Sequence, residues 1–406
     1  MKSKEDFKNI MSKIKVPKGF VFSGIHCGLK RKRKDLSLFY SEKECKAAGV
    51  FTKNTVKAAP VILCEERLKK GANIHAIIVN SGNANCMTGN QGYKDAVETT
   101  RSIAELLDIP EETVLVSSTG VIGKPLNMNV IKKALPELKN NLSATAIVDA
   151  AEGIVTTDRF SKISSRAIKI GNKNITILGI AKGAGMIRPD MATMLSYVFT
   201  DANISEIAIE KALIKSVDKS FNSISVDGDM STNDTVIILA NGLANNDLIS
   251  DSGEVFELFV EKLSDVMLEL AKLIVVDGEG ATKLVEINVS GAKTLQDAKL
   301  AAGTISNSLL VKCAIHGADP NWGRIAASLG ASGAEFNPEK IEIIMDGVTF
   351  FKNGEFTAPS SSKIQKVFKK NKVNIKVNLN NGKYSAVNYT CDISKEYIEI
   401  NASYTT

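Results

Sequence analysis

The chain lacks long apolar runs, and none approaches the roughly 18 consecutive residues that a membrane-spanning helix needs, so no such helix is expected. Residues 1–15 are charged throughout and lack the apolar core of about 7–15 residues that marks a secretory signal, so a cytoplasmic protein is expected. Histidine is scarce, with three in 406 residues (His26, His75, His316), and the six cysteines (Cys27, Cys45, Cys64, Cys86, Cys313, Cys391) include no C-x-x-C pair. No metal-ligand spacing results, and reduced structural thiols are the plain reading. Gly183-Ala184-Gly185 and Asp277-Gly278-Glu279-Gly280 fit neither G-x-G-x-x-G nor G-x-x-x-x-G-K-[ST], which argues against a phosphate cradle. A net charge of +6 is small for this length and gives no push toward nucleic acid. There is no internal repeat and no low-complexity linker.

With 44% hydrophobic and 24% charged residues, the composition is that of an ordinary globular protein, long enough for two or three domain-sized units. Short apolar runs at His75–Asn80, Thr113–Ser117, Ile175–Ile180, Met194–Phe199 and Thr235–Ala240 read as strands. Helical spacing marks Tyr93–Leu107, Asn129–Leu135, Ala144–Thr156, Ser205–Val217 and, as the longest, Val255–Ile274. Strands and helices are mixed through both halves, which favours a layered α/β architecture. Two basic runs are notable. Lys30-Arg31-Lys32-Arg33-Lys34 interrupts a strand-like region ending in Leu36–Tyr40 and reads as a solvated hairpin, while Lys363–Lys376 reads as a helix and then a strand, each with a wet lysine face.

The segment Lys182–Ala202, KGAGMIRPDMATMLSYVFTDA, carries the sharpest chemical signal. It sets Thr193 directly after the small Ala192, behind a glycine-bearing run and ahead of an apolar strand. If the Ala192–Thr193 bond were cut, Thr193 would hold a hydroxyl nucleophile and a free α-amine on one residue. Such an amine titrates near 7.7–8.0, so a useful fraction is neutral at pH 7 and can take the hydroxyl proton; a lysine amine, near 10.4, would need heavy perturbation. The same hydroxyl can make the cut by attacking the Ala192 carbonyl, with water releasing the resulting ester. Taken alone, an Ala-Thr pair before a strand is a structural turn, and Ser118-Thr119-Gly120 is a plain turn as well. Ser196 is the nearest rival nucleophile, but cleavage before it would place the amine inside an apolar strand.

Six segments in order along the chain resemble signatures of the ornithine acetyltransferase family, also called glutamate N-acetyltransferases. They are Val79–Cys86 (VNSGNANC), Ser117–Gly123 (SSTGVIG), the Lys182–Ala202 stretch, Asp277–Lys283 (DGEGATK), Gly317–Arg324 (GADPNWGR) and Asn401–Thr406 (NASYTT). The resemblance implies sheet layers covered by helices, similar to N-terminal-nucleophile hydrolases but differently connected. It also implies self-cleavage at Ala192–Thr193 into an alpha chain, 1–192, and a beta chain, 193–406. Thr193 would be the nucleophile, and Thr119 with Gly120 the oxyanion hole. Thr156, Lys182, Thr193, Glu279, Asn401 and Thr406 match positions that bind substrate in the family. Their types suit an amino acid, with Lys182 and hydroxyls for a carboxylate and Glu279 for an ammonium.

The leading expectation is therefore a ping-pong acetyltransferase of arginine biosynthesis that takes acetyl from N-acetylornithine and gives it to glutamate without metal or bound cofactor. The resemblance adds acetyl-CoA as a second donor, which no single residue decides, and a heterotetramer of two alpha and two beta chains, with neither nucleic acid nor membrane as partner. Two other readings stay open: an amidohydrolase or aminopeptidase of the same nucleophile design, and a non-catalytic amino-acid-binding protein with an intact chain.

Overall fold

The run Leu195–Thr200 (LSYVFT) is buried at all six positions, so it must lie between two apolar layers. In the computed structural model, which describes residues 14–71, 73–188 and 194–403, those layers are a helical face and a second portion of the same sheet. Ala192, Thr193 and Thr406 lie outside the described residues.

Strands β1 (Phe20–Ile25), β2 (Leu36–Phe51), β3 (Ile74–Asn83), β4 (Val114–Val121), β5 (Lys162–Ile170), β6 (Lys173–Lys182) and β7 (Leu195–Thr200) build the first sheet. After β8 (Ile224–Ser225), which joins the second sheet, β9 (Thr235–Ala240) completes it in the order β4-β3-β2-β9-β7-β6-β5, with β1 paired to β2. The 16-residue β2 turns the sheet back on itself: its first half pairs with β1 and β3, its second half with β9. Phe20 and Phe39 thereby reach over β7, with ring centroids 5.3 Å from Phe199 and 5.0 Å from Tyr197 respectively. Along β7 and β9, alternate residues separate the two cores. Val198, Val236 and Ile238 meet helices Glu206–Lys219 and Glu254–Val276, whereas Tyr197, Phe199, Ile237 and Leu239 meet the β1–β4 layer.

The second sheet contains β10 (Leu284–Ala292), β11 (Glu342–Met345), β12 (Val348–Lys352), β13 (Glu355–Phe356), β14 (Lys372–Asn378) and β15 (Tyr384–Cys391), in the order β13-β12-β11-β14-β10-β15-β8. Helices Leu295–Asn307, Leu309–His316 and Trp322–Gly330 close its own core. The first of these starts with a capping box between Thr294 and Asp297.

The layered α/β architecture is the expected one. The five strands expected between residues 75 and 240 all lie in the first sheet, and the longest helix is Glu254–Val276, close to the expected span. Ser205 turns out to cap the helix it was expected to begin, accepting the Ala208 N–H at 3.2 Å. Other boundaries differ. The helix expected over 129–135 runs from Met128 to Asn140 with Pro136 inside it, and the one expected over 144–156 is confined to Ile147–Gly153. Of the helix expected within Lys363–Lys376 only Lys363 and Ile364 are helical, while the strand expected after it is present as β14 from Lys372. Helix Ser361–Ile364 stops because Phe368 adopts φ +61°, bonds through its N–H to Asp346, and sinks with Val367 into the second core. The basic run 30–34 is tied down at Lys30, Arg33 and Lys34 rather than freely solvated.

Candidate active site

Three strand ends of the first sheet converge on one cavity of about 320 Å³. β3 and β4 are parallel, with Ser81 beside Thr119 and Gly82 beside Gly120. Gly120 adopts φ +134°, and a Cβ there would lie 2.4 Å from the Gly82 carbonyl carbon, so no other residue fits this close approach. Asn233 buttresses the same end, donating to the carbonyls of Ala84 at 2.7 Å and Ser118 at 2.8 Å. Lys182 closes β6, opposite Leu195 of β7, and its Nζ donates to Thr119 Oγ1 at 3.1 Å. That contact uses a lone pair on the hydroxyl oxygen and leaves the O–H free to donate elsewhere.

Lys182 is 4% exposed; burial pushes its amine down, and Asp158 opposes the shift. Burial alone would push the Asp158 carboxyl up, but the Lys162 and Lys182 ammoniums outweigh it and hold the acid below the usual carboxylate range. Asp158 is the organiser of this wall. It accepts from Lys162 Nζ at 2.6 Å, from the Gly183 N–H at 2.7 Å and from the Thr156 N–H at 3.0 Å. Lys162 also meets Asp277 at 2.6 Å, and all three side chains are fully buried. Asp277 in turn fixes Arg159, so the loop carrying Thr156 and the start of the Asp277–Lys283 motif are locked to β5.

The acidic wall comes from further along the chain. Glu279 follows the long helix, its N–H bonded to Ala184 O at 2.9 Å. Gly185 packs so closely on its carboxylate that a Cβ would lie 2.6 Å from Oε2. Asn401 Nδ2 donates to Glu279 Oε2 at 2.8 Å from the terminal helix Lys395–Ser403. Asp227, Asp229 and Tyr397 complete this side. Burial pushes the Tyr397 phenol up, reinforced by these acids.

Of the residues singled out in the sequence, Thr119, Gly120, Thr156, Lys182, Glu279 and Asn401 all line this one cavity. Four others went unnoticed: Asp158, Asp227, Asp234 and Tyr397. Asp227 accepts the N–H groups of Met186 at 2.6 Å and Ile187 at 2.8 Å, pinning the chain just before residues 189–193. Asp234 accepts the Met194 N–H at 3.1 Å, just after them, and Thr235 N–H bonds to Met194 O at 3.1 Å. The other Asp234 oxygen, Oδ2, is buried without a hydrogen-bond partner among the described residues, and burial pushes this carboxyl well above the usual range. The available signal was the polar cluster Ser231-Thr232-Asn233-Asp234 ahead of an apolar strand. Among the described residues, no group of three or more His, Cys, Asp and Glu could hold a metal ion.

A buried lysine on a threonine hydroxyl, facing an acidic wall in a layered α/β fold, brings a cation, hydroxyls and carboxylates to one cavity. The chain belongs to the ArgJ family, which it matches over residues 21–406. It is 49% identical over 398 residues to the arginine biosynthesis bifunctional protein ArgJ of Caldanaerobacter subterraneus subsp. tengcongensis, covering 97% of this chain and 98% of that one. Identity to the protein of the same name from Thermotoga neapolitana is 48%, over 96% of this chain and all of the relative. Among solved structures, the argJ protein of Bacillus halodurans matches with a TM-score of 0.51 at 42% identity, covering 52% of this chain and 100% of that chain.

Proposed function

We propose that the cavity holds N-acetylornithine and glutamate in turn, and that Thr193 carries the acetyl group between them. As an ArgJ member the chain is an enzyme of arginine biosynthesis that transfers acetyl groups. That sets aside the hydrolytic and the non-catalytic readings. The observation that carries the mechanism is the placing of Met194: its N–H is held by Asp234 beside the Lys182–Thr119 pair.

In this reading, Thr193 Oγ gives its proton to its own α-amine and attacks the acetyl carbonyl carbon. The oxyanion takes hydrogen bonds from the Thr119 hydroxyl and the Gly120 N–H, while Lys182 holds the Thr119 oxygen. Collapse breaks the C–N bond, and the departing ornithine amine takes the proton from the α-ammonium. Glutamate's neutral amine then attacks the acetyl ester and regenerates Thr193. Lys182 and the hydroxyls of the same wall suit the substrate carboxylate; Glu279, steadied by Asn401, suits an ammonium.

The free α-amine comes from a prior cut at Ala192–Thr193. The Bacillus halodurans chain, matched over its whole length, covers only 52% of this one, which is in keeping with such a break. After the cut, 1–192 and 193–406 stay together, because β7 lies between β6 of the first fragment and β9 of the second. Two such pairs make the heterotetramer, with a native mass twice 43.6 kDa.

Denaturing electrophoresis with N-terminal sequencing tests this reading. The wild-type chain gives two fragments, the second beginning at Thr193, and Thr193→Ala gives one folded, inactive chain. Cleavage of purified Thr193→Ala at the same bond overturns the proposal.

A further inference from the structure

The segment 225–235 holds the chain on both sides of residues 189–193. Upstream, Asp227 accepts the Met186 and Ile187 N–H groups, and the Ile187 carbonyl accepts the Val226 N–H at 3.0 Å and the Gly228 N–H at 3.2 Å. Downstream, Asp234 and Thr235 grip Met194. Met186 is held at φ +60°, a left-handed conformation uncommon for a residue with a side chain. Strain of this kind persists only where surrounding contacts over-determine it.

Those contacts lead into the second sheet. Ser225 belongs to β8 and pairs in parallel with Thr390 of β15. Its carbonyl accepts the Thr390 hydroxyl at 2.9 Å, and its own hydroxyl lies 2.5 Å from Asn307 Oδ1 and 3.2 Å from Ile187 O. Behind Thr390 stands Lys312, 1% exposed, whose ammonium donates to the Thr390 hydroxyl oxygen and, at 3.0 Å, to the Cys391 carbonyl. Both of these partners are neutral, while Asp227 and Asp392 are the acids whose field reaches the ammonium. The helix carrying Lys312, Leu309–His316, is fastened in turn by the motif Gly317–Arg324. Asp319 N–H bonds to Ala314 O at 2.9 Å, and the Arg324 guanidinium donates to Leu310 O at 2.9 Å. No residue of that motif lines the cavity.

A buried ammonium is an expensive way to fill space, since an apolar side chain of similar volume does so without the desolvation cost. We propose that Lys312 and Thr390 are positioning residues for self-cleavage: through Ser225 they fix the segment 225–228, which bends the chain at Met186 and Ile187 ahead of the Ala192–Thr193 bond. This rests on the self-cleavage reading above. In the cut, the bond from Thr193 Oγ to the Ala192 carbonyl carbon forms, the C–N bond breaks, and the Oγ proton ends on the departing nitrogen. Water then hydrolyses the ester, leaving a carboxylate on Ala192, a free hydroxyl on Thr193, and the released proton on the α-amine. Attack by a side chain on the carbonyl just before it needs the chain held near one reactive geometry, and small misplacements cost rate steeply. Acetyl transfer by the cut enzyme makes no such demand, because the chain ending at Ala192 is no longer joined to Thr193.

The test follows cutting over time in cell-free translation, after synthesis is stopped, with full-length chain and fragments read on denaturing gels. Thr390→Val keeps the shape of the side chain and deletes the hydroxyl, and it should slow the cut by about 10- to 100-fold. Thr390→Ser restores the hydroxyl and should bring most of that rate back. Lys312→Met keeps the length of the side chain without its charge and should slow the cut as Thr390→Val does. It supplies the same reading if Thr390→Val melts below the assay temperature, which melting curves on a Thr193→Ala background report. Once fully cut, each variant should move acetyl from N-acetylornithine to glutamate with kcat close to wild type. A wild-type cutting rate in either folded variant, equal slowing by Thr390→Val and Thr390→Ser, or a matching fall in kcat of the cut enzyme would overturn the positioning role while leaving self-cleavage standing. A wild-type chain that stays whole, or a Thr193→Ala chain that is cut, would overturn the underlying reading.

Discussion

Lys182 and Asn401 line the same cavity from opposite extremes of burial. Lys182 is 4% exposed, closes a central strand, and sits behind the fully buried Asp158–Lys162–Asp277 cluster. Asn401 is exposed, on a terminal helix with no buried residue. The basic wall is therefore held by the same packing that holds the first sheet. In the acidic wall, the Glu279 carboxylate is held by one side-chain hydrogen bond, from Asn401, and the last helix lies over Gly280, where an added Cβ would meet the Tyr397 backbone nitrogen at 2.6 Å. Groups that act on developing charge gain from such rigidity, because preorganised donors need no rearrangement at the moment of reaction. Groups that select the substrate can sit nearer water and closer to the chain end.

The sharpest way to break the comparison is to titrate the rigid wall. Asp158 and Asp234 are both buried acids, but their carboxyls are displaced in opposite directions. An acid held below its unfolded value, about 3.9 for Asp, adds stability that is complete above that pH and is lost as pH falls through the folded value. An acid held above that value costs stability at neutral pH, and the cost disappears as pH falls through its raised value toward 3.9. Asp158→Asn should therefore destabilise at pH 7, by at most about 3–5 kcal/mol because Asp277 remains on Lys162. Asp234→Asn should stabilise at pH 7, with its gain fading toward pH 4. Melting curves from pH 4 to 8 on a Thr193→Ala background, where cutting cannot vary, check both. Shifts of the same sign at pH 7 would show that the two acids do not differ as argued.

Next in size is the oxyanion donor. Thr119→Ala removes the hydroxyl that Lys182 holds, and the loss should fall on kcat by roughly 100- to 1,000-fold, or about 3–4 kcal/mol, with modest change in KM. Single-turnover acetylation from N-acetylornithine, on protein already cut, is the measurement. A kcat within a few-fold of wild type would remove Thr119 from the chemistry.

Most strands were legible because burial on both faces leaves continuous apolar runs such as Thr235–Ala240; the site residues were legible only through the family resemblance of their short motifs, since alone they read as turns or solvated side chains. What stayed hidden was set by tertiary contacts. Nothing local marks Asp158 as an organiser, since its partner Lys162 lies on β5 and its partner Gly183 just after β6, and Lys162 is shared with Asp277 from the end of a distant helix. The Phe368 turn depends on Asp346 and on a core assembled from the second sheet, so lysine periodicity misread it as helix. The basic run 30–34 looked solvated because its anchors are distant in sequence: Lys30 and Arg33 bond backbone carbonyls within residues 155–158, and Lys34 pairs with Asp149 and Glu152.

The smallest expected effect belongs to the exposed wall. Asn401→Ala deletes the Nδ2 hydrogen bond to Glu279 Oε2 and leaves the carboxylate otherwise intact. A hydrogen bond to a charged group is worth about 1.5–3 kcal/mol, and exposure to water reduces this. The change should therefore raise KM for N-acetylornithine by about 3- to 10-fold. It should leave kcat and Ala192–Thr193 cutting near wild type, because the cut uses the nucleophile but no substrate. Glu279→Gln keeps the shape and removes the charge, and it should weaken the ammonium-bearing substrate more than Asn401→Ala does. The double variant should be no worse than Glu279→Gln alone if Asn401 acts only through Glu279. Additive losses would instead give Asn401 its own contact with substrate, and a fall in kcat matching the rise in KM would erase the distinction between the two walls.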